Sequence, residues 1–177
     1  MDRPIFFLLD RSGSMGAIRD DVIGGYNTFL SDQKALTPNA LATLWQFDHE
    51  IETTYENIRL EDAPELDRAS FQPRGGTHLL DTLGKALAIP PIGPPPIVII
   101  FTDGAENGST QFRHREIKEK IEQKTSEGWT FVYLGAHHDA FNEAADIGIS
   151  AGNTVAFEGN RTPEVFRALS ATVSSQI

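Results

Sequence analysis

The sequence predicts an α/β fold, a three-layer sandwich in which helices cover both faces of a mainly parallel sheet. Two observations support this prediction. Strand-like and helix-like segments alternate through most of the chain. Two strand-like segments, residues 5–9 (IFFLL) and 97–101 (IVIIF), are apolar at every position. A strand needs such a continuous apolar run when both faces of its sheet are covered.

The first half of the chain contains three further elements. Apolar residues with helical spacing, beginning at Met15 and ending at Leu30, predict a helix over 15–30. Residues 41–47 and 51–58 are predicted to form strands. The short turn between these strands favours an antiparallel hairpin, with the more polar second strand at an edge of the sheet.

The second half of the chain continues the alternation of helices and strands. Residues 90–96 contain five prolines and predict a stiff connector that is neither a helix nor a central strand. The predicted elements of this half are helices over 79–87, 113–127 and 139–147, strands over 129–134 and 153–157, and a final helix that begins at Thr162.

Size and charge limit the classes of function. The 177 residues fit one domain spanning residues 1–177. The net charge of −10 predicts no basic surface for nucleic acid or for an anionic membrane. The chain has no cysteine, and its apolar runs are too short for a signal or membrane-spanning segment. We therefore expect a cytoplasmic protein.

Three segments combine hydroxyl and carboxylate groups. They are residues 10–14 (DRSGS) after the first apolar run, residues 75–77 (GGT) before a predicted helix, and residues 102–104 (TDG) after the second apolar run. Ligands bind beyond the carboxyl ends of strands in an open parallel sheet, so these segments are expected to converge there. Hard oxygen ligands of this kind suit Mg²⁺, Mn²⁺ or Ca²⁺. The candidate metal ligands are Asp10, Ser12, Ser14, Thr77 and Asp103.

Other interpretations of these residues remain open at this point. The serines and Thr77 could cap the helices that follow, while the aspartates accept hydrogen bonds from loop N–H groups. We expect Arg11 to be a solvated loop residue or a contact to an acidic partner. Residues 137–139 (HHD) predict a polar loop, with a transition-metal site as the alternative.

The three motifs together resemble the von Willebrand factor A (VWA) domain family. They are Asp-x-Ser-Gly-Ser-Met at 10–15, Gly-Gly-Thr at 75–77 and Phe-Thr-Asp-Gly at 101–104, and the resemblance extends over roughly residues 3–175. It implies a Rossmann-like, six-stranded sheet with one antiparallel edge strand. It also implies a metal-ion-dependent adhesion site (MIDAS), in which Ser12 and Ser14 bind the metal directly and Asp10 binds it through water. Thr77 and Asp103 would alternate between direct and water-mediated contact.

The resemblance further implies a non-enzymatic module. A Glu or Asp side chain of a partner protein would occupy the last coordination position of Mg²⁺. Two alternative functions are compatible with the sequence. One is an interaction domain that binds its partner without a metal. The other is a phosphohydrolase with Asp10 as nucleophile, but such an enzyme ordinarily has a second aspartate two positions later, where this chain has Ser12.

Overall fold

The computed structural model describes residues 1–103, 106–135, 139–156 and 162–176. The strands are β1 (Ile5–Asp10), β2 (Leu41–Phe47), β3 (Ile51–Arg59), β4 (Ile97–Thr102), β5 (Thr130–Gly135) and β6 (Thr154–Ala156). The helices are α1 (Arg19–Leu36), α2 (Leu79–Leu87), α3 (His114–Ser126), α4 (Ala140–Asp146) and α5 (Thr162–Ser174).

The six strands form one sheet in the order β3-β2-β1-β4-β5-β6. All neighbouring strands are parallel except β2 and β3, which form the antiparallel hairpin. Ile5 of β1 is paired with Ala42 of β2 on one side and with Ile97 of β4 on the other. The predicted mainly parallel sheet with one antiparallel edge strand is therefore confirmed, and the two apolar runs occupy its centre.

Helices cover both faces of the sheet. Phe7 of β1 packs in a cluster that includes residues of α1 and α5. Leu8, the next residue, points to the other face and joins a cluster that includes residues of α2, α3 and α4. Every residue of β1 and of β4 is buried. The continuous apolar runs therefore reflect burial on both faces, and the three-layer sandwich is confirmed.

The chain after β1 differs from the prediction. In place of a single helix over 15–30, a 3₁₀ helix runs over Gly13–Ile18 and α1 follows it. The 3₁₀ turn begins where the Met15 N–H donates to the Ser12 carbonyl at 3.0 Å. Glycine is a poor α-helix former, and Gly13 and Gly16 both lie in this stretch.

The proline-rich connector at 90–96 contains neither helix nor strand, as predicted. It lies at the amino ends of the parallel strands, because Ile97 begins β4 there. The carboxyl ends of β1 and β4 are thus at the opposite edge of the sheet. No helix in the described parts of the chain is both long enough and apolar enough to cross a membrane.

Candidate metal centre

Asp10 is the last residue of the central strand β1, and its side chain is fully buried. One carboxylate oxygen, Oδ1, accepts a hydrogen bond from the Ser12 N–H at 2.6 Å. The other, Oδ2, accepts one from the Thr102 hydroxyl at 2.7 Å. Thr102 ends the adjacent strand β4. The Asp10 carboxylate is therefore held in one orientation by groups from two neighbouring strand ends.

Two serine hydroxyls connect the first loop to Asp103. The Ser12 and Ser14 hydroxyl oxygens are 3.2 Å apart. The Ser14 hydroxyl donates a hydrogen bond of 2.8 Å to Oδ1 of Asp103. Ser12 is buried, whereas Ser14 is exposed and Asp103 half-buried. The structure thus brings four of the five candidate ligands into one hydrogen-bonded cluster that opens to solvent on one side.

The oxygen spacing in this cluster fits a small hard cation. Mg²⁺ binds oxygens at 2.0–2.1 Å in octahedral geometry, which places adjacent ligand oxygens about 2.9 Å apart. The Ser12–Ser14 and Ser14–Asp103 distances of 3.2 and 2.8 Å lie on either side of that value. Among the described residues, no three His, Asp or Glu side chains form a metal site. A metal here would therefore depend on hydroxyl as well as carboxylate oxygens.

Thr77 is buried, and its segment lies between the other two loops. The Gly13 N–H donates to the Gly75 carbonyl at 3.1 Å, which joins the segment to the first loop. Asn107, in the loop after β4, pairs with Thr77 twice. Its side-chain oxygen accepts from the Thr77 N–H at 2.9 Å, and its own N–H donates to the Thr77 carbonyl at 2.8 Å. Backbone contacts thus hold Thr77 beside both loops.

The absence of a side chain at Gly76 allows Asn107 to approach Thr77 closely. A Cβ at position 76 would lie 2.7 Å from Oδ1 of Asn107, the atom that accepts the Thr77 N–H. Real Cβ atoms do not approach an oxygen so closely. A side chain here would therefore displace Asn107 from Thr77, so glycine lets the second and third loops approach each other.

The electrostatic environment of Asp10 favours a cation. Burial raises the pKa of Asp10 to about 6, and the negative charge of Asp103 adds to this effect. The hydrogen bonds from Ser12 and Thr102 act in the opposite direction but do not cancel it. A bound divalent cation would favour the ionised carboxylate and reverse the shift. The chemistry of the donor set, its spacing and its charge therefore all fit a divalent metal.

The helix-capping interpretation of Ser12 finds no support in the geometry. Ser12 immediately precedes the 3₁₀ helix, but its side chain makes no capping hydrogen bond. Asp10 does accept a hydrogen bond from a loop N–H group, that of Ser12, as the alternative interpretation of the aspartates proposed. This hydrogen bond orients the carboxylate and leaves the serine hydroxyls directed at each other and at Asp103.

The prediction that Arg11 is a solvated loop residue is wrong. Arg11 is only 6% exposed, and its Nε lies 3.0 Å from Oδ2 of Asp48. A second nitrogen of its guanidinium pairs with Glu52. Both carboxylates belong to the β2–β3 hairpin, which folds against the first loop. The sequence contains no local signal for these pairs, because the partners are 37 and 41 positions away.

The sequence motifs do not predict the hydrogen bonds that Thr102 and Asn107 make at this site. Thr102 ends β4 directly before Asp103, and this position at a strand end is the sequence feature that could have indicated its role. Gly104 and the His137–His138 pair lie outside the described residues.

The sequence itself has no match among protein-family models or curated proteins. Solved structures do match the fold. The vWF domain of the type V pili tip protein Mfa5 from Porphyromonas gingivalis matches with a TM-score of 0.74 and 12% identity, over 100% of this chain and 97% of that chain. The von Willebrand factor type A protein from Catenulispora acidiphila matches with a TM-score of 0.70 and 18% identity, over 98% and 43%.

A third match is proximal thread matrix protein 1 (PTMP1) from the mussel byssus, in a structure with a zinc-occupied MIDAS motif. Its TM-score is 0.71 and its identity 15%, over 96% of this chain and 47% of that chain. This chain therefore spans less than half the length of the Catenulispora and mussel proteins. Identities this low show the fold alone, and the fold of this chain is the von Willebrand factor A fold.

Proposed function

We propose that this chain is a metal-dependent protein-binding module. Its metal site would be a MIDAS formed by Asp10, Ser12, Ser14, Thr77 and Asp103, and it would capture a Glu or Asp side chain of a partner protein. The observation that carries the proposal is the cluster of hydroxyl and carboxylate oxygens at the carboxyl ends of β1 and β4.

The charges of the ligands would allow an external carboxylate to bind, provided that Asp10 contacts the metal only through water and leaves it part of its positive charge. Asp10 and Asp103 together neutralise a divalent cation, so the charge of the loaded site is about zero. Asp10 is already held by the Ser12 N–H and the Thr102 hydroxyl. When bound, the metal would supply a Lewis-acid position to which an outside acid group can bind. The exposure of Gly13 and Ser14 leaves that position within reach of another protein.

Mg²⁺ is the metal we propose, with Mn²⁺ or Ca²⁺ as alternatives, because all candidate ligands are hard oxygens. PTMP1 has zinc in its MIDAS motif, so zinc belongs among the ions to be compared. Mfa5 is a pilus tip protein, which supports a role of this fold in protein contacts. Ser12, in the position where an aspartyl phosphatase has its second aspartate, supports a non-enzymatic function.

The test compares capture of partner proteins in Mg²⁺ and in EDTA. Immobilised wild-type protein would be incubated with lysate, and bound proteins would be identified by mass spectrometry. We expect a partner that is retained in Mg²⁺, is lost in EDTA, and is lost from the Ser12→Ala/Ser14→Ala double variant. Replacing one surface Glu or Asp of the purified partner should abolish retention as well.

A matched control is Ser126→Ala, which removes a hydroxyl at the end of α3 and should leave capture unchanged. A partner that is bound equally well in EDTA and by the double variant would contradict the proposal. That result would identify an interaction domain that works without a metal.

A further inference from the structure

We propose that Asp48 is a positioning residue of the metal centre, which holds the loop at 10–14 and the segment at 74–78 at the separation that a single cation requires. This inference rests on the proposed function. Asp48 directly follows β2 and is not itself a candidate ligand. Its carboxylate lies at the point where the two ligand-bearing segments meet.

The Asp48 carboxylate is fully buried and bound by three groups. Its Oδ2 accepts hydrogen bonds from Nε of Arg11 at 3.0 Å and from Nε of Arg74 at 2.8 Å. Its Oδ1 accepts one from the Glu50 N–H at 2.7 Å. One carboxylate oxygen therefore connects two arginines that are far apart in the sequence.

Each arginine belongs to a ligand segment. Arg11 stands between Asp10 and Ser12, and Arg74 stands three residues before Thr77. A displacement of either guanidinium would therefore be transmitted to a ligand through very few bonds. The Asp48 carboxylate is thus the common anchor of the first and second loops.

Backbone hydrogen bonds reinforce the same junction. The Arg74 N–H donates to the Arg11 carbonyl at 2.7 Å, and the His78 N–H donates to the Asp48 carbonyl at 2.9 Å. Thr77 is therefore held on both sides, by contacts at positions 74 and 78. The junction is separate from the two hydrophobic clusters of the fold, and its contacts hold the two loops together.

Charge explains why aspartate is suited to this position. Burial alone would raise the pKa of Asp48, but the Glu50 N–H and the two guanidinium groups hold it below its ordinary value. Arg11 is itself buried and needs a buried counter-charge. An uncharged side chain at position 48 would weaken both pairs, so the two loops would separate more easily.

The inference is tested by Asp48→Asn, which keeps the shape of the side chain and removes its charge. Isothermal titration with Mg²⁺ alone should show a dissociation constant raised about tenfold or more, the usual cost of losing a group that orients metal ligands. In EDTA, hydrogen exchange should show faster exchange of the Gly13, Arg74 and His78 amides. The first two join the two loops, and the third joins the second segment to Asp48.

Two further variants separate positioning from general stability. Arg59→Gln removes an exposed arginine that pairs with Glu61 at the far end of β3, and it should leave Mg²⁺ affinity unchanged. Ile121→Ala removes a buried side chain of α3. It should lower the melting temperature without changing Mg²⁺ affinity or the exchange of the loop amides.

The outcomes are distinct. Wild-type affinity in Asp48→Asn would overturn the inference and leave the proposed function standing. Failure of the wild type to bind Mg²⁺, Mn²⁺, Ca²⁺ or Zn²⁺ would overturn both. A loss of affinity in Ile121→Ala as large as that in Asp48→Asn would show that Asp48 acts only through stability.

If Asp48→Asn does not fold, the Mg²⁺ affinity of Arg74→Gln tests the inference in its place, because the Arg74 side chain is 53% exposed. Unchanged affinity in Arg74→Gln would then overturn the inference.

Discussion

The Ser14 hydroxyl donates a 2.8 Å hydrogen bond to Oδ1 of Asp103, although the two residues are 89 positions apart. Ser14 follows β1 and Asp103 follows β4, and these strands are parallel neighbours at the centre of the sheet. Because parallel neighbours end at the same edge, the loops that follow them are adjacent. The candidate metal centre is therefore a direct consequence of the strand order.

Loss of both serine hydroxyls should abolish Mg²⁺ binding. Ser12→Ala/Ser14→Ala removes two neutral oxygens that are 3.2 Å apart and leaves the carboxylates in place. Isothermal titration should show no binding, while circular dichroism and the melting temperature in EDTA remain close to those of the wild type. Full Mg²⁺ affinity in this variant would show that the ligand assignment is wrong.

Metal occupancy should stabilise the folded protein. At a free Mg²⁺ concentration one hundred times the dissociation constant, binding adds about 2.7 kcal/mol to the free energy of unfolding. For a domain of this size, each kcal/mol raises the melting temperature by about 2–4 °C. Differential scanning calorimetry in Mg²⁺ and in EDTA at matched ionic strength measures the effect. A melting temperature indifferent to saturating Mg²⁺ would contradict this prediction.

Gly76→Ala should weaken metal binding. The new Cβ would collide with the Asn107 side chain that accepts the Thr77 N–H, so the second and third loops would move apart. Gly16→Ala is the matched control, because no atom lies within 4 Å of a Cβ at that position. Mg²⁺ titration of the two variants should show a higher dissociation constant for Gly76→Ala only. Equal affinities would contradict the role given to Gly76.

Replacing the adjacent glycines Gly24 and Gly25 of α1 with alanine should change the free energy of unfolding in opposite directions. A Cβ at Gly25 would lie 2.2 Å from the ring of Phe166 in α5, whereas a Cβ at Gly24 meets nothing within 4 Å. Gly25→Ala should lower the free energy of unfolding by about 1–3 kcal/mol through overpacking. Gly24→Ala should raise it by up to about 1 kcal/mol, because alanine favours helix. Urea denaturation measures both, and a stable Gly25→Ala would contradict the packing of α5 on α1.

The pH dependence of stability should include a contribution from Asp81 of α2. Burial alone would raise the pKa of Asp81, but the N–H groups of Thr110, Gln111 and Phe112 hold it below its ordinary value. A carboxyl with a lower pKa in the folded state stabilises the fold above its ordinary pKa, and this contribution is lost as the pH falls through the folded value.

Asp81→Asn should therefore lower the free energy of unfolding by about 1–3 kcal/mol at pH 7. The difference from the wild type should shrink as the pH falls below about 4. Urea denaturation in EDTA across this range provides the measurement, and Asp32→Asn, at an exposed aspartate, is the control. A difference that grows in acid would have the wrong sign and would refute the assignment.

Local patterns in the sequence determined most of the fold. The uninterrupted apolar runs at 5–9 and 97–101 identified the two central strands, because only a strand covered on both faces needs apolar residues at every position. The spacing of Asp10, Ser12 and Ser14 marked one side of the candidate site, since residues in one short loop can face the same point without help from distant parts of the chain.

Only the tertiary structure decided how the loops are held together. Arg11 was expected in solvent, but it is buried against Asp48 of a hairpin whose position depends on strand order. The pairing of Asn107 with Thr77 likewise joins segments 30 positions apart. Apolar periodicity is a property of neighbouring residues, so the sequence records it directly. Ion pairs and hydrogen bonds between loops depend on where the packed sheet brings each strand end, and no local pattern encodes that.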